Sequence, residues 1–192
     1  MADRNDLARQ AVVATLTGAG IGKIKPFTIR SFTLLSPMFS VVGINVAARI
    51  TNVVYDASEV GLAEYDTGSN TYHLGFTDAG SLSRKALIVH ESVHAICDLL
   101  NLRTMDIGTS ESSAYLAQCL YARANSTDPD PDARLFSEDE DKDRVFKVGW
   151  ELAGKLLADT TPSSADYDRL RDAVNRHPYY RGKAGDNAKF NG

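Results

Sequence analysis

Apolar positions recur at helical spacing along most of this chain and alternate in three short stretches near its middle. The helical spacing predicts six helices. The first covers residues 3–17, with Leu7, Ala11, Val12 and Ala14 on its apolar face, and ends at a glycine-rich break from Gly18 to Gly22. Ser36-Pro37 looks like a helix start, with proline at the first helical position, and leads into MFSVVGINVAARI. The third helix, residues 81–100, is apolar nearly all round from Ala86 onward, which marks a buried central helix. A loop at 101–108 separates it from a fourth helix at about 110–124, for which Thr109 or Ser110 can act as the N-cap.

Residues 125–137 contain two prolines and read as a loop. Behind it, EDEDKD reads as the acidic opening of a fifth helix capped by Ser137, running through Val145, Val148, Trp150, Leu152 and Leu156. That acidic run lacks the alternating ligands and glycine of an EF-hand, so it does not predict a calcium site. The last helix, 163–176, opens with Ser163 and Asp166 spaced as a capping box and stops at His177-Pro178. The tail from Arg181 is rich in glycine and basic residues and is expected to be mobile.

Between the second and third helices the pattern changes period. Residues 50–55 (ITNVVY) are β-branched and aromatic and predict a strand. Residues 62–65 and 72–76 flank the polar turn DTGSN and predict a hairpin. The expected fold class is α+β. A small, mostly antiparallel sheet of three to four strands packs on the central helix, the 110–124 helix lies beside it, and the C-terminal helices complete the core. One domain is expected over residues 1–192, with its catalytic core at about 50–124 and a C-terminal helical part at 137–177.

Composition narrows the function classes. The chain has 192 residues, 43% hydrophobic and 24% charged, which suits one globular domain. Its net charge of -4 gives no electrostatic footprint for nucleic acid, so no such partner is expected. Cys97 and Cys119 both lie in apolar helical stretches and read as buried, reduced thiols. No run of apolar residues is long enough to span a bilayer, and the mixed charges of residues 1–9 make a poor secretory signal. The expected location is cytoplasmic, with no membrane contact.

The informative segment is His90-Glu91-Ser92-Val93-His94 on the central helix. Residues four apart share a helix face, so the two imidazoles can aim at one zinc ion. Glu91 flanks the metal without being needed to bind it, and from there it can take a proton from a water at the ion. Catalytic zinc usually takes three protein ligands. Glu111, at the start of the next helix, is the expected third, with Asp106 in the intervening loop as its competitor. Asp98 lies one turn beyond His94 and points past the metal.

HESVH followed by a helix opening ESSAYLAQCL resembles the gluzincin metallopeptidases, and especially the compact minigluzincins and ImmA/IrrE-type metallopeptidases. The resemblance covers about residues 50–124. It implies a zincin-like fold and a site completed by a glutamate on the downstream helix, which is Glu111 here. The metzincin pattern is excluded, because Cys97 and Leu100 stand where it needs glycine and the third ligand. Tyr115 stands where larger gluzincins often carry an acidic partner for a zinc histidine, so the support for that histidine must come from elsewhere.

The expected activity is therefore zinc-dependent hydrolysis of a peptide bond, with Glu91 as base and then acid and the peptide extended along the sheet edge. The residue that stabilises the oxyanion is open among Tyr115, Tyr121, His73, His177 and Tyr179. Two other readings use the same residues: a zinc-stabilised regulatory or binding module, and hydrolysis of a small amide or ester.

Overall fold

The computed structural model describes residues 3–127 and 140–190. Helix α1 (Arg4–Thr17) begins where Asp3 accepts a hydrogen bond from the Asn5 N–H, and it ends at Gly18. A 3-10 turn at Ile21–Lys23 follows. Strands β1 (Phe27–Ile29) and β2 (Phe32–Leu34) then form an antiparallel hairpin that the sequence reading did not anticipate. Its inward residues Phe27, Ile29, Phe32 and Leu34 are all buried. Helix α2 (Ser36–Ala47) starts at the expected Ser-Pro pair.

Strand β3 (Asn52–Val60) outruns the predicted one, and β4 (Ala63–Asp66) and β5 (Thr71–Gly75) form the predicted hairpin. Asp66 closes the hairpin turn by accepting from the Gly68 N–H and the Ser69 hydroxyl. The expected single, mostly antiparallel sheet is instead two small sheets, and the larger is mixed. Its order is β3-β5-β4, with β3 parallel to β5 and β5 antiparallel to β4. The backbone of β3 passes so close to Gly75 that a Cβ there would lie 1.4 Å from the Glu59 carbonyl oxygen. Only glycine fits this crossing.

Helix α3 (Leu82–Leu99) starts at Ser81, whose hydroxyl accepts from the Arg84 N–H. It packs against α1, α2, β4 and helix α4 (Ile107–Asn125). On the other side of α4 lie α5 (Glu140–Leu157) and α6 (Ser164–Arg176). The two central helices are accordingly buried along most of their length, with Ile88, Val93, Ile96, Leu116 and Leu120 in the core. The Ser163–Asp166 capping box is present in both directions. The Ser137 cap and most of the 125–137 loop lie outside the described residues. No helix among the described residues is long and apolar enough to cross a membrane.

One local expectation changes, and the tail makes defined contacts. The N-cap of α4 is Asp106, not Thr109 or Ser110, because the Asp106 carboxylate accepts from both the N–H and the hydroxyl of Thr109 at 2.8 Å. The tail, expected to be loose, is bonded to the start of α4. Ile107 and Gly108 donate to the carbonyls of Asp186 and Ala184, and Ala188 donates to Met105. Those carbonyls satisfy helix N–H groups that have no partner within the helix, and Phe190 is buried.

Asp106 also accepts a hydrogen bond from Arg171 on α6 at 2.8 Å. Burial works against its charge, but the Arg171 guanidinium and Thr109 outweigh it and hold the carboxyl below its ordinary 3.8. A depressed folded pKa stabilises the protein above the unfolded pKa, and that contribution is lost as pH falls through the folded value. Asp106→Ala is expected to cost about 1–2 kcal/mol at neutral pH. Thermal unfolding should show a Tm lower by roughly 3–6 °C, with the gap to wild type narrowing as pH falls below the ordinary 3.8.

Candidate metal centre

Helices α3 and α4 face each other across the site, and each contributes through a short local spacing. His90 and His94 lie one turn apart on α3, their ring centroids 5.3 Å apart. Glu111 lies in the second turn of α4. Its Oε2 is 3.4 Å from His90 Nε2 and its Oε1 is 3.4 Å from His94 Nε2. One ligand atom from each of the three residues lies within 4.8 Å of the others, a group that could hold a metal ion. Asp106 is not in that group. It is held at the helix cap by Thr109 and Arg171.

The far nitrogens of both imidazoles are fixed. His90 Nδ1–H donates to Gln118 Oε1 at 3.0 Å, and His94 Nδ1 is hydrogen-bonded with the Ser110 hydroxyl at 3.0 Å. In the tautomer with both protons on Nδ1, each Nε2 lone pair faces the Glu111 carboxylate. Two lone pairs and an anion repel one another unless a cation or a shared proton lies between them. Glu111 Oε2 is moreover buried with no hydrogen-bond partner. An orphaned carboxylate oxygen beside two imidazole nitrogens fits a divalent ion of the zinc type by donor chemistry and by burial.

The charges around Glu111 agree with this. Burial would raise its pKa, but His94 and His90 outweigh burial and hold it down at about 2. His94 is lowered, chiefly by burial. His90 is raised: burial opposes its charge, and the contact with Glu111 overcomes that.

Gln118 lies seven residues after Glu111 on the same face of α4, and it supplies the support for His90 that Tyr115 does not. Tyr115 instead stacks edge-on against the His90 ring at 4.6 Å. Gln118→Leu removes the acceptor that sets the tautomer and ring orientation of His90. Competition with a chromogenic chelator is expected to show zinc affinity weakened about 10–100-fold, with the helical circular dichroism unchanged.

Glu91 sits beside the group and is only 8% exposed. Its Oε2 accepts from the Tyr65 N–H of β4 at 2.9 Å. Burial pushes its carboxyl up to about 7, against the attraction of His90. Glu91, both histidines and Glu111 open into one cleft of about 720 Å³. One wall is β4, and the other is the segment from Tyr179 to Phe190.

The candidates for an oxyanion donor separate clearly. Tyr121 lies by Gly20 and Asn125, away from the cleft, and His73 faces Glu64 across the β4–β5 pair. His177 and Tyr115 flank the site, with ring centroids 6.3 Å apart. Tyr179 lines the cleft but is 69% exposed. The residue the sequence reading passed over is Tyr180. It lines the cleft, close enough for the Glu111 charge and the Tyr115 hydroxyl to act on its phenol. Burial and the Glu111 charge push its phenol well up, so it stays a proton donor. The only sequence signal for it was an aromatic pair just after the proline that stops α6.

No family model, curated protein or solved structure matches the chain. The chemistry of the site is therefore read from its geometry. The two thiols take no part. Cys97 and Cys119 are buried, and burial raises both, Cys119 to about 12.

Proposed function

We propose that this protein is a zinc-dependent hydrolase acting on peptide bonds. The observation that carries the reading is Glu91. Three other side chains could hold a metal ion, and a fourth, nearly buried carboxylate opens into the same cleft beside them. A site that only stored zinc for stability would gain nothing from a second buried acid there, and desolvating it has a cost.

His90, His94 and Glu111 would hold the ion. Zinc bound there supplies Lewis acidity toward a carbonyl and lowers the pKa of water. Glu91 takes one proton from the attacking water as its oxygen bonds to the carbonyl carbon. It then delivers that proton to the amide nitrogen as the carbon–nitrogen bond breaks. A carboxylate raised to about 7 suits both halves of this exchange near neutral pH. The Tyr180 hydroxyl, which lines the cleft, would donate toward the carbonyl oxygen as charge develops on it. Strand β4 is the edge of its sheet and lines the cleft, which offers an extended peptide a ladder to join.

The test begins with metal analysis of the purified chain and a pool of quenched fluorescent peptides. About one zinc per chain is expected, with hydrolysis that a chelator abolishes and added zinc restores. Failure to retain zinc after reloading would remove the basis of the proposal. Stoichiometric zinc with no hydrolysis of any peptide would favour a zinc-stabilised binding module instead.

A further inference from the structure

The main chain of β4 has two unlike sides. Leu62 accepts from the Gly75 N–H at 3.0 Å, and Glu64 and Tyr65 lie opposite His73 and Tyr72. Residues 62, 64 and 66 therefore turn their backbone groups toward β5, while 63, 65 and 67 turn theirs outward, because the direction alternates along an antiparallel pair. Ala63, Tyr65 and Thr67 all line the cleft. One of their outward donors is already engaged: Tyr65 N–H is bonded to Glu91 Oε2.

Tyr65 is held firmly in this position. Its ring is buried, and its hydroxyl lies 2.6 Å from Asn70 Oδ1 and 3.0 Å from Asp98 Oδ2. Asp98 is 2% exposed and lies two turns beyond Glu91 on α3. The Tyr72 hydroxyl makes a parallel tie from β5, donating to Ser92 Oγ at 2.8 Å. The strand edge and the helix that carries Glu91 are thus joined at two points, so the donor at Tyr65 and the acceptor at Glu91 keep their spacing.

We propose that this hydrogen bond is exchanged when substrate binds. An extended peptide adding as a strand to β4 takes the Tyr65 N–H with one of its own main-chain carbonyls, and Glu91 is released toward the attacking water. The inference rests on the peptidase reading above and deepens it. It names the substrate class as a segment several residues long in extended conformation. A single amide or ester has no second carbonyl to displace Glu91 while its reacting carbonyl sits at the metal group. Asp98 and Asn70 become positioning residues that hold the shared donor still.

The test uses the zinc-loaded full chain and a blocked, fluorescein-labelled octapeptide of alanine and threonine whose central peptide bond is reduced and cannot be cleaved. Its Kd is measured by anisotropy for wild type, Glu91→Gln and Glu91→Ala, and exchange of the Tyr65 amide is followed by NMR. The Ala variant, with no competitor for the N–H, is expected to bind about tenfold tighter than wild type, and the Gln variant to fall between. In the Ala variant the Tyr65 amide should exchange freely and become protected when peptide is added.

Equal Kd values in the three proteins, no binding by any of them, or no protection of Tyr65 at saturation would overturn the exchange. Hydrolysis of single-residue amides as fast as of the unmodified octapeptide would overturn it too, while leaving the hydrolase reading intact. Tight binding with Tyr65 protected, but no cleavage of the unmodified octapeptide, would support the exchange and count against the peptidase.

Discussion

Glu91→Gln is expected to keep about one zinc per chain and to lower peptide hydrolysis about 10²–10⁴-fold, the usual contribution of a positioned general base. The substitution is isosteric at a buried position, so it opens no cavity. The Gln carbonyl can still accept from Tyr65 N–H, so the tie to β4 weakens without breaking. His90, His94 and Glu111, the group that could hold a metal ion, are untouched. What disappears is the ability to take a proton from water and return it to the leaving amine. The loss should therefore fall on kcat, with KM no higher than in wild type. Metal analysis and steady-state kinetics on one preparation decide the matter. Full turnover with zinc bound would exclude Glu91 as the base, and loss of zinc would show that the variant had disturbed the ligands instead.

What the sequence disclosed about this site was local. His90 and His94 lie one turn apart on a common helix face with Glu91 beside them, and that follows from the helix period alone. The starts of α3 and α6 were legible for the same reason, since Ser81 and the Ser163–Asp166 box act within three residues of themselves. The partners that finish the site were not legible. Tyr65 reaches Glu91 across 26 residues and Gln118 reaches His90 across 28. In the first pair the group that matters is a main-chain N–H, which no residue type advertises. The β1–β2 hairpin escaped notice because its turn is Arg30-Ser31, with Arg30 at φ 56 where glycine or asparagine would be the usual signal.

The mixed sheet escaped for a different reason. Alternation along β3 and β5 states which residues point inward, but it carries no information on whether two strands run parallel or antiparallel. For the tail, composition weighs its glycines and lysines. Composition says nothing of the carbonyls of Ala184 and Asp186, which meet the open N–H groups of α4.

Glu111→Ala is expected to abolish stoichiometric zinc binding. Binding of zinc by a full four-ligand protein site is worth about 10–16 kcal/mol, so one ligand carries roughly 2.5–4 kcal/mol, or ~10²–10³-fold in affinity. Glu111 should lie at the upper end, because it is the site's only anion among the three ligands and faces both Nε2 atoms. A competing explanation is that the substitution merely loosens α4. Two comparisons separate the explanations. Glu111→Gln keeps the volume and removes the charge, so it should also lose zinc if coordination is what matters. Asp106→Ala weakens the cap of the same helix and should lower Tm while leaving zinc bound, because Asp106 is outside the ligand group. Thermal unfolding with and without added zinc supplies a second readout. A ligand that binds only the folded state raises Tm, so wild type and Asp106→Ala should gain stability with zinc while both Glu111 variants should not. If Glu111→Gln kept its zinc and its gain in Tm, the carboxylate would be a packing element and the third ligand would have to come from elsewhere.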